Sequence, residues 1–305
     1  MSLAKNKPAG RAVAADLRKQ VERALELLEG KRLSDEDVHE ARKHLKKARA
    51  SLRLLRPVLK DATYRAWNAN LRDAARPLSA ARDSKVLLDT LRLLAERYGE
   101  PVRALRLEKF RHVLNERRAR SSHEVLSAQT KVLAHSRQLL RDAHGGMERL
   151  RITQADDWAS LGAGLKHVYG GGRRALADAR KAPSADGFHE WRKQVKYLRY
   201  QLETLEPVWP GMIGEMADQA HQLADYLGDE HDLSVLRATA LGQSAAFRDD
   251  GTLGALVALI DRCQSQLREK SLLLGARLYQ EKPRLFADRF GQYWRDWRAE
   301  KSAAA

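Results

Sequence analysis

An all-α fold is what this 305-residue sequence predicts, on three observations. Only 8 prolines interrupt the chain, and Ala, Leu, Arg, Glu and Lys, which lose least on entering a helix, are abundant. No segment alternates apolar and polar residues between turn signals, as a half-buried strand would. Apolar residues recur instead at three- and four-residue steps over long stretches.

The elements follow in order. Val13, Leu17, Val21, Ala24 and Leu28 share one face of a first helix that ends at Gly30. A second helix begins behind Ser34 or Asp35, either of which can cap it, and stops near Pro57. Helices are expected from Thr63 to Leu78, from Arg82 to Arg97 and from Val102 to Ala143, the last with a break near Ser121. Gly145 and Gly146 read as an interruption. Beyond them come helices near Asp157–Lys181, Asp186–Glu206, Gly214–Leu241, Leu253–Tyr279 and Pro283–Trp297. Cys263 cannot form an internal disulfide, and its neighbours Ile260 and Leu267 put it on a buried helix face.

An internal repeat divides the chain. Val38-His39-Glu40-Ala41-Arg42-Lys43 is echoed by Phe188-His189-Glu190-Trp191-Arg192-Lys193. The same register continues through Lys46 and Lys196, Arg49 and Arg199, Leu52 and Leu202, and Pro57 and Pro207, an offset of 150. Arg82-Asp83 and Val86-Leu87 are matched by His231-Asp232 and Val235-Leu236 at an offset of 149. Two matched segments in one order predict a duplicated unit, residues 1–147 and 148–300, with 301–305 as a tail.

Charge is ordered along that repeat. The net charge is +16 with a pI near 10.0, an excess that a polyanionic partner would screen. On a helical wheel Val38, Ala41, Leu45, Ala48, Leu52 and Leu55 form a core seam, while His39, Arg42, Lys46, Arg49 and Arg53 share another arc with Lys43 at its edge. The second repeat places Phe188, Trp191, Val195, Leu198, Leu202 and Leu205 on the seam and His189, Arg192, Lys196 and Arg199 on the arc, where Glu203 replaces the last arginine. Solvated faces usually mix signs, because a Glu–Lys pair one turn apart adds about 0.2–0.5 kcal/mol. Here like charges stack for three turns, twice, which predicts a bound polyanion. Arginine's planar fork matches phosphate oxygens, and a first-turn histidine can donate when protonated.

Other motifs fail. The zinc-protease pattern needs histidines four residues apart, but Lys43 stands where the second would be, and Gln194 replaces His44 in the second repeat. His231-Asp232 has Arg82-Asp83 as its counterpart, and arginine ligates no metal. Gly162, Gly164 and Gly170-Gly171-Gly172 follow no strand, so they suit close helix packing better than a phosphate loop. The longest apolar stretch, Leu253 to Ile260, falls short of the roughly 20 residues a membrane span needs. Lys5, Lys7, Arg11 and Asp16 break up any signal-peptide core, and a cytoplasmic location is expected.

The paired His-Glu-x-Arg-Lys-x-x-Lys-x-x-Arg helices, with Leu227-Gly228-x-x-His231-Asp232-Leu233-x-Val235-Leu236 downstream, resemble the conserved histidine α-helical domain, CHAD, from about Arg11 to Trp297. The resemblance implies two four-helix bundles related by a pseudo-two-fold axis, with basic helices lining a central groove. It also implies non-catalytic binding of inorganic polyphosphate and recruitment to polyphosphate granules, with no cofactor and no metal. By position the groove falls on His39, Arg42, Lys43, Lys46 and Arg49, and on His189, Arg192, Lys193, Lys196 and Arg199. Arg53 extends the first stripe, Tyr200 lies beside Lys193, and Arg82 and His231 are second contributors. Lys166, Arg173 and Arg174 are weaker candidates. The chain departs from the family pattern at Ser84-Lys85, where an acidic residue is usual, and at Glu203. A nucleic-acid binder using the same surface is the second reading, although the stripe lacks interleaved aromatics. A phosphoanhydride-cleaving enzyme is the third, and no carboxylate cluster for magnesium stands out.

Overall fold

The computed structural model describes residues 3, 8–30, 33–105, 107–150, 152, 158–247 and 249–300, apart from the side chains of 35, 79–85, 120–130 and 159–160. Among the described residues there is no strand. The helices are α1 (Ala9–Leu28), α2 (Asp35–Leu54), α3 (Asp61–Ala75), α4 (Ala80–Tyr98), the single turn α5 (Glu100–Arg103), α6 (Glu108–Glu148), α7 (Trp158–Lys181), α8 (Ala185–Leu205), α9 (Pro210–Gly242), α10 (Asp250–Leu278) and α11 (Pro283–Ala299). The tail at 301–305 lies outside the described residues.

Local chemistry sets the boundaries. Ser34 Oγ accepts from the Asp37 amide at 3.1 Å, and the Ser34 amide donates to Asp37 Oδ2 at 2.9 Å. That reciprocal capping box starts α2 and decides between the two candidate caps in favour of Ser34. Ser184 caps α8 by accepting from the Gly187 amide at 3.1 Å, and Asp249 caps α10 by accepting from Thr252 at 2.7 Å. Pro57 and Pro207 each sit in a short 3-10 turn that ends a repeated helix.

Two expectations are overturned. α6 runs unbroken from Glu108 to Glu148, past Ser121 and through Gly145 and Gly146. Gly146 serves packing instead: a Cβ there would lie 2.9 Å from Trp67 Nε1. The glycines of α7 do the same. Gly164 brings its backbone onto the end of α2, where a Cβ would sit 2.3 Å from the Leu54 carbonyl oxygen, and Gly172 clears the Tyr279 hydroxyl.

Two apolar cores result. The larger gathers α1, α2, α3, α7, α8 and α11, the carboxyl-terminal parts of α6 and α10 and the amino-terminal part of α9. The smaller gathers α4, α5, Phe110 and Leu114 of α6, Leu233 and Leu236 of α9, and Leu256 to Leu267 of α10, Cys263 included. α6, α9 and α10 therefore run from one core into the other. The predicted seams are the core: Val13, Leu17, Val21, Leu45, Leu52, Phe188, Trp191 and Leu202 are fully buried. Each such side chain contributes roughly 1.5–3 kcal/mol. With their seams turned inward, α2 and α8 pack against each other and leave the Lys and Arg side chains of their basic arcs half-buried.

Candidate functional site: a cationic cleft

A cleft of about 450 Å³ opens where the two repeated helices meet the smaller core. α2 supplies Arg42, Lys46 and Arg49. α8 supplies His189, Arg192, Lys193, Lys196, Tyr197 and Tyr200. His231, Asp232 and Val235 come from α9, Val86 and Leu87 from α4, and Arg117 from α6. Among the described residues the lining holds seven Lys and Arg side chains and one carboxylate, Asp232. On α8 the His189, Arg192, Lys196 and Tyr200 steps return to one face, so functional groups recur about every 5.4 Å.

The predicted residues divide by what else they touch. Arg53 does not line the cleft. Its guanidinium lies 3.7 Å from the Tyr197 ring centroid and donates to the Arg49 carbonyl at 3.0 Å and to Asn68 Oδ1 at 3.3 Å. Arg49 donates to the same Asn68 oxygen at 3.4 Å, and burial lowers its pKa from the ordinary guanidinium value. Arg199 turns away to Glu203, donating at 2.8 Å. Lys43 pairs with Glu40 at 3.1 Å and lies outside the lining, whereas its counterpart Lys193 pairs with Glu190 at 2.5 Å and lines it. His39 is exposed and outside the lining. Lys166 and Arg174 are exposed on α7, and Arg173 donates to the Glu281 carbonyl at 3.0 Å beside a separate groove. The Arg82 side chain lies outside the described residues.

Electrostatics in the cleft follow from crowding. The His189 and His231 rings lie 4.2 Å apart. Burial, then His231, Lys193 and Arg192, push the His189 pKa down to about 4. Burial, Arg192 and Lys196 lower that of His231. Both imidazoles are therefore neutral near pH 7, so the protonated donor expected from the sequence forms only when something offsets the neighbouring cations. His189 Nδ1 is buried and makes no hydrogen bond in the described structure. Burial also raises the pKa of Tyr200, keeping its hydroxyl protonated and able to donate.

Two contributors escaped sequence reasoning. Arg117 arrives from α6, far along the chain, and its only signal was the basic run Arg117-Arg118. Tyr197 is neither on the core seam nor on the basic arc, yet it carries Arg53 and faces the cleft. Among the described residues no group of His, Cys, Asp and Glu side chains is arranged to hold a metal ion. No described helix is long and apolar enough to cross a membrane.

Comparison with known proteins bears on the fold. The structure matches PptA from Streptomyces chartreusis with a TM-score of 0.64 at 17% identity, over 90% of this chain and 100% of that one. It matches the CHAD domain from the plant Ricinus communis with a TM-score of 0.55 at 16% identity, over 92% and 94% of the two chains. No curated protein matches the sequence. The CHAD domain model matches residues 12–241, three quarters of the length, and by that match and its all-helical fold the chain belongs to the CHAD domain family.

Proposed function

We propose that the cleft binds inorganic polyphosphate without cleaving it, and that this binding targets the protein to polyphosphate granules in the cytoplasm. One observation carries the reading: among the described residues, seven cations from α2, α6 and α8 converge on one cleft with a single carboxylate. Some members of the family bind polyphosphate, and CHAD proteins are typically binding modules. The halves 1–147 and 148–300 act as one site, since α2 belongs to the first and α8 to the second. A linear polyanion fits the chemistry, with arginines grasping phosphate oxygens in pairs and lysines acting as mobile charges.

Nucleic acid is the competing ligand. Single-strand binders offer open aromatic faces to bases. Here Tyr200 is buried and the Tyr197 ring carries the Arg53 guanidinium, which favours a ligand made of phosphates alone.

Titration with long-chain polyphosphate at several salt concentrations tests the reading. With about six phosphates neutralised, affinity should fall on the order of 10²–10³-fold between 50 and 200 mM salt. Arg42→Glu combined with Arg192→Glu should abolish binding; a double variant that binds like the parent refutes the assignment. DNA that displaces polyphosphate at equal phosphate concentration would transfer the site to nucleic acid. Release of phosphate from the bound chain would make the protein an enzyme.

A further inference from the structure

α2 and α8 pack together where Gln201 Nε2 donates to the Ala50 carbonyl at 3.2 Å. The crossing has two chemically different flanks. On one, Arg53 and Arg49 lie over the Tyr197 ring at 3.7 and 5.7 Å. On the other, Glu203 holds Arg199 at 2.8 Å and Lys47 at 3.1 Å. The 150-residue offset carries Arg53 onto Glu203, Arg49 onto Arg199 and Lys47 onto Tyr197. The flanks are positional counterparts, one built on an aromatic ring and one on a carboxylate.

Tyr200 stands between the cleft and the carboxylate flank. It lines the cleft, and it also lines a cavity of about 110 Å³ together with Lys47 and Glu203. Lys47 Nζ and the Arg199 guanidinium lie 5.8 and 5.2 Å from its ring centroid. Both cations are thus one ring's width from the anion site, and both are committed to Glu203.

We propose that Glu203 is a specificity-determining residue that ends the polyphosphate site at Tyr200 by withholding Arg199 and Lys47 from the ligand. The inference rests on the polyphosphate reading. With side-chain exposures of 18% for Arg199, 27% for Glu203 and 32% for Lys47, water screens the triad only in part. A phosphate arriving beside Tyr200 meets a carboxylate that both repels it and occupies the donors it would need. Removing that charge frees two donors next to the existing row.

The salt dependence of polyphosphate binding reads this directly, because its slope counts the phosphates engaged. Glu203→Gln should bind several-fold more tightly, with the slope steeper by about 0.7 for each phosphate added. Glu100→Gln, on α5, makes the same change in net charge outside the cleft and should leave the slope alone. Lys47→Met should leave binding unchanged in the parent, where the lysine is withheld, and should cancel part of the gain in the Glu203→Gln background. An unchanged slope in Glu203→Gln, or a parent weakened by Lys47→Met, overturns the proposal while leaving polyphosphate binding intact. No binding by the parent overturns both.

Discussion

His189 and His231 stack with ring centroids 4.2 Å apart and planes 37° from parallel, joining α8 to α9 at one wall of the cleft. Burial is the chief cause that keeps both rings neutral, and Arg192, Lys193 and Lys196 crowding the pair add to it. A polyanion in the cleft reverses that field, so its arrival raises both imidazole pKa values toward the ordinary range. Binding and protonation then favour each other. Polyphosphate affinity is expected to rise as pH falls from about 7 to about 5, by up to about tenfold per pH unit for each proton taken up. Calorimetry in two buffers of different ionisation enthalpy should show proton uptake, and His189→Asn with His231→Asn should flatten the profile. Without ligand the sign reverses. The unfolded chain protonates near the ordinary imidazole value of 6.5 and the folded His189 only near 4, so stability is complete above that range and falls as pH drops through it.

Much of this arrangement was legible in the sequence because it depends on short-range periodicity. The Val13–Leu28 seam, a cap at Ser34 or Asp35 and the basic arc on each of α2 and α8 all follow from spacing within one helix. Gly145 and Gly146 misled because glycine signals both a helix end and a close approach, and Trp67, which decides between them at Gly146, lies on another helix. The split of the basic stripes was hidden for the same reason. Whether Arg199 serves the cleft depends on Glu203, one turn away on the same face and visible in advance, but also on Lys47, which only the packing of α2 against α8 brings to the same carboxylate.

The Arg53–Tyr197 contact separates charge from position. Tyr197→Leu keeps every cation but removes the ring beneath Arg53 and beside Arg49, a contact worth about 0.5–2 kcal/mol where partly desolvated. Polyphosphate affinity should drop about three- to tenfold with no change in salt slope. Arg192→Gln, which deletes a charge, should lower both. A Tyr197→Leu protein that binds polyphosphate as tightly as the parent would mean that Tyr197 does not position the arginines.

Next to His231, Glu230 is fully buried and takes two hydrogen bonds from Arg268, at 2.9 and 2.6 Å, and one from Gln264 at 3.2 Å. Burial raises its pKa from the ordinary glutamate value despite the arginine. Arg268→Met strands the carboxylate and should cost about 3–5 kcal/mol near pH 7 in urea unfolding. The loss should shrink near pH 5, because the folded state then binds a proton that the unfolded chain does not. The histidine effect is common to parent and variant and cancels in the comparison. Adding Glu230→Gln to Arg268→Met should restore most of the stability; a cost that stays constant with pH would show that the carboxylate is not the cause.

Gly164 and Gly254 make a matched test of where glycine is required. Both lie inside helices, α7 and α10, where alanine normally gains about 0.5–1 kcal/mol over glycine through lower backbone entropy in the unfolded chain. At Gly254 an added Cβ meets nothing within 4 Å, so Gly254→Ala should raise the melting temperature. At Gly164 the same methyl would lie 2.3 Å from the Leu54 carbonyl oxygen and 2.8 Å from its Cα, and backbone cannot swing aside as a side chain can. α7 must then lift from the end of α2, at a cost of about 1–3 kcal/mol or more. Because Arg53 adjoins Leu54, the displaced turn should also loosen its stack on Tyr197 and weaken polyphosphate binding. Opposite shifts in melting temperature for the two variants are expected; a Gly164→Ala protein as stable as the parent would mean that α7 does not rest on the α2 backbone.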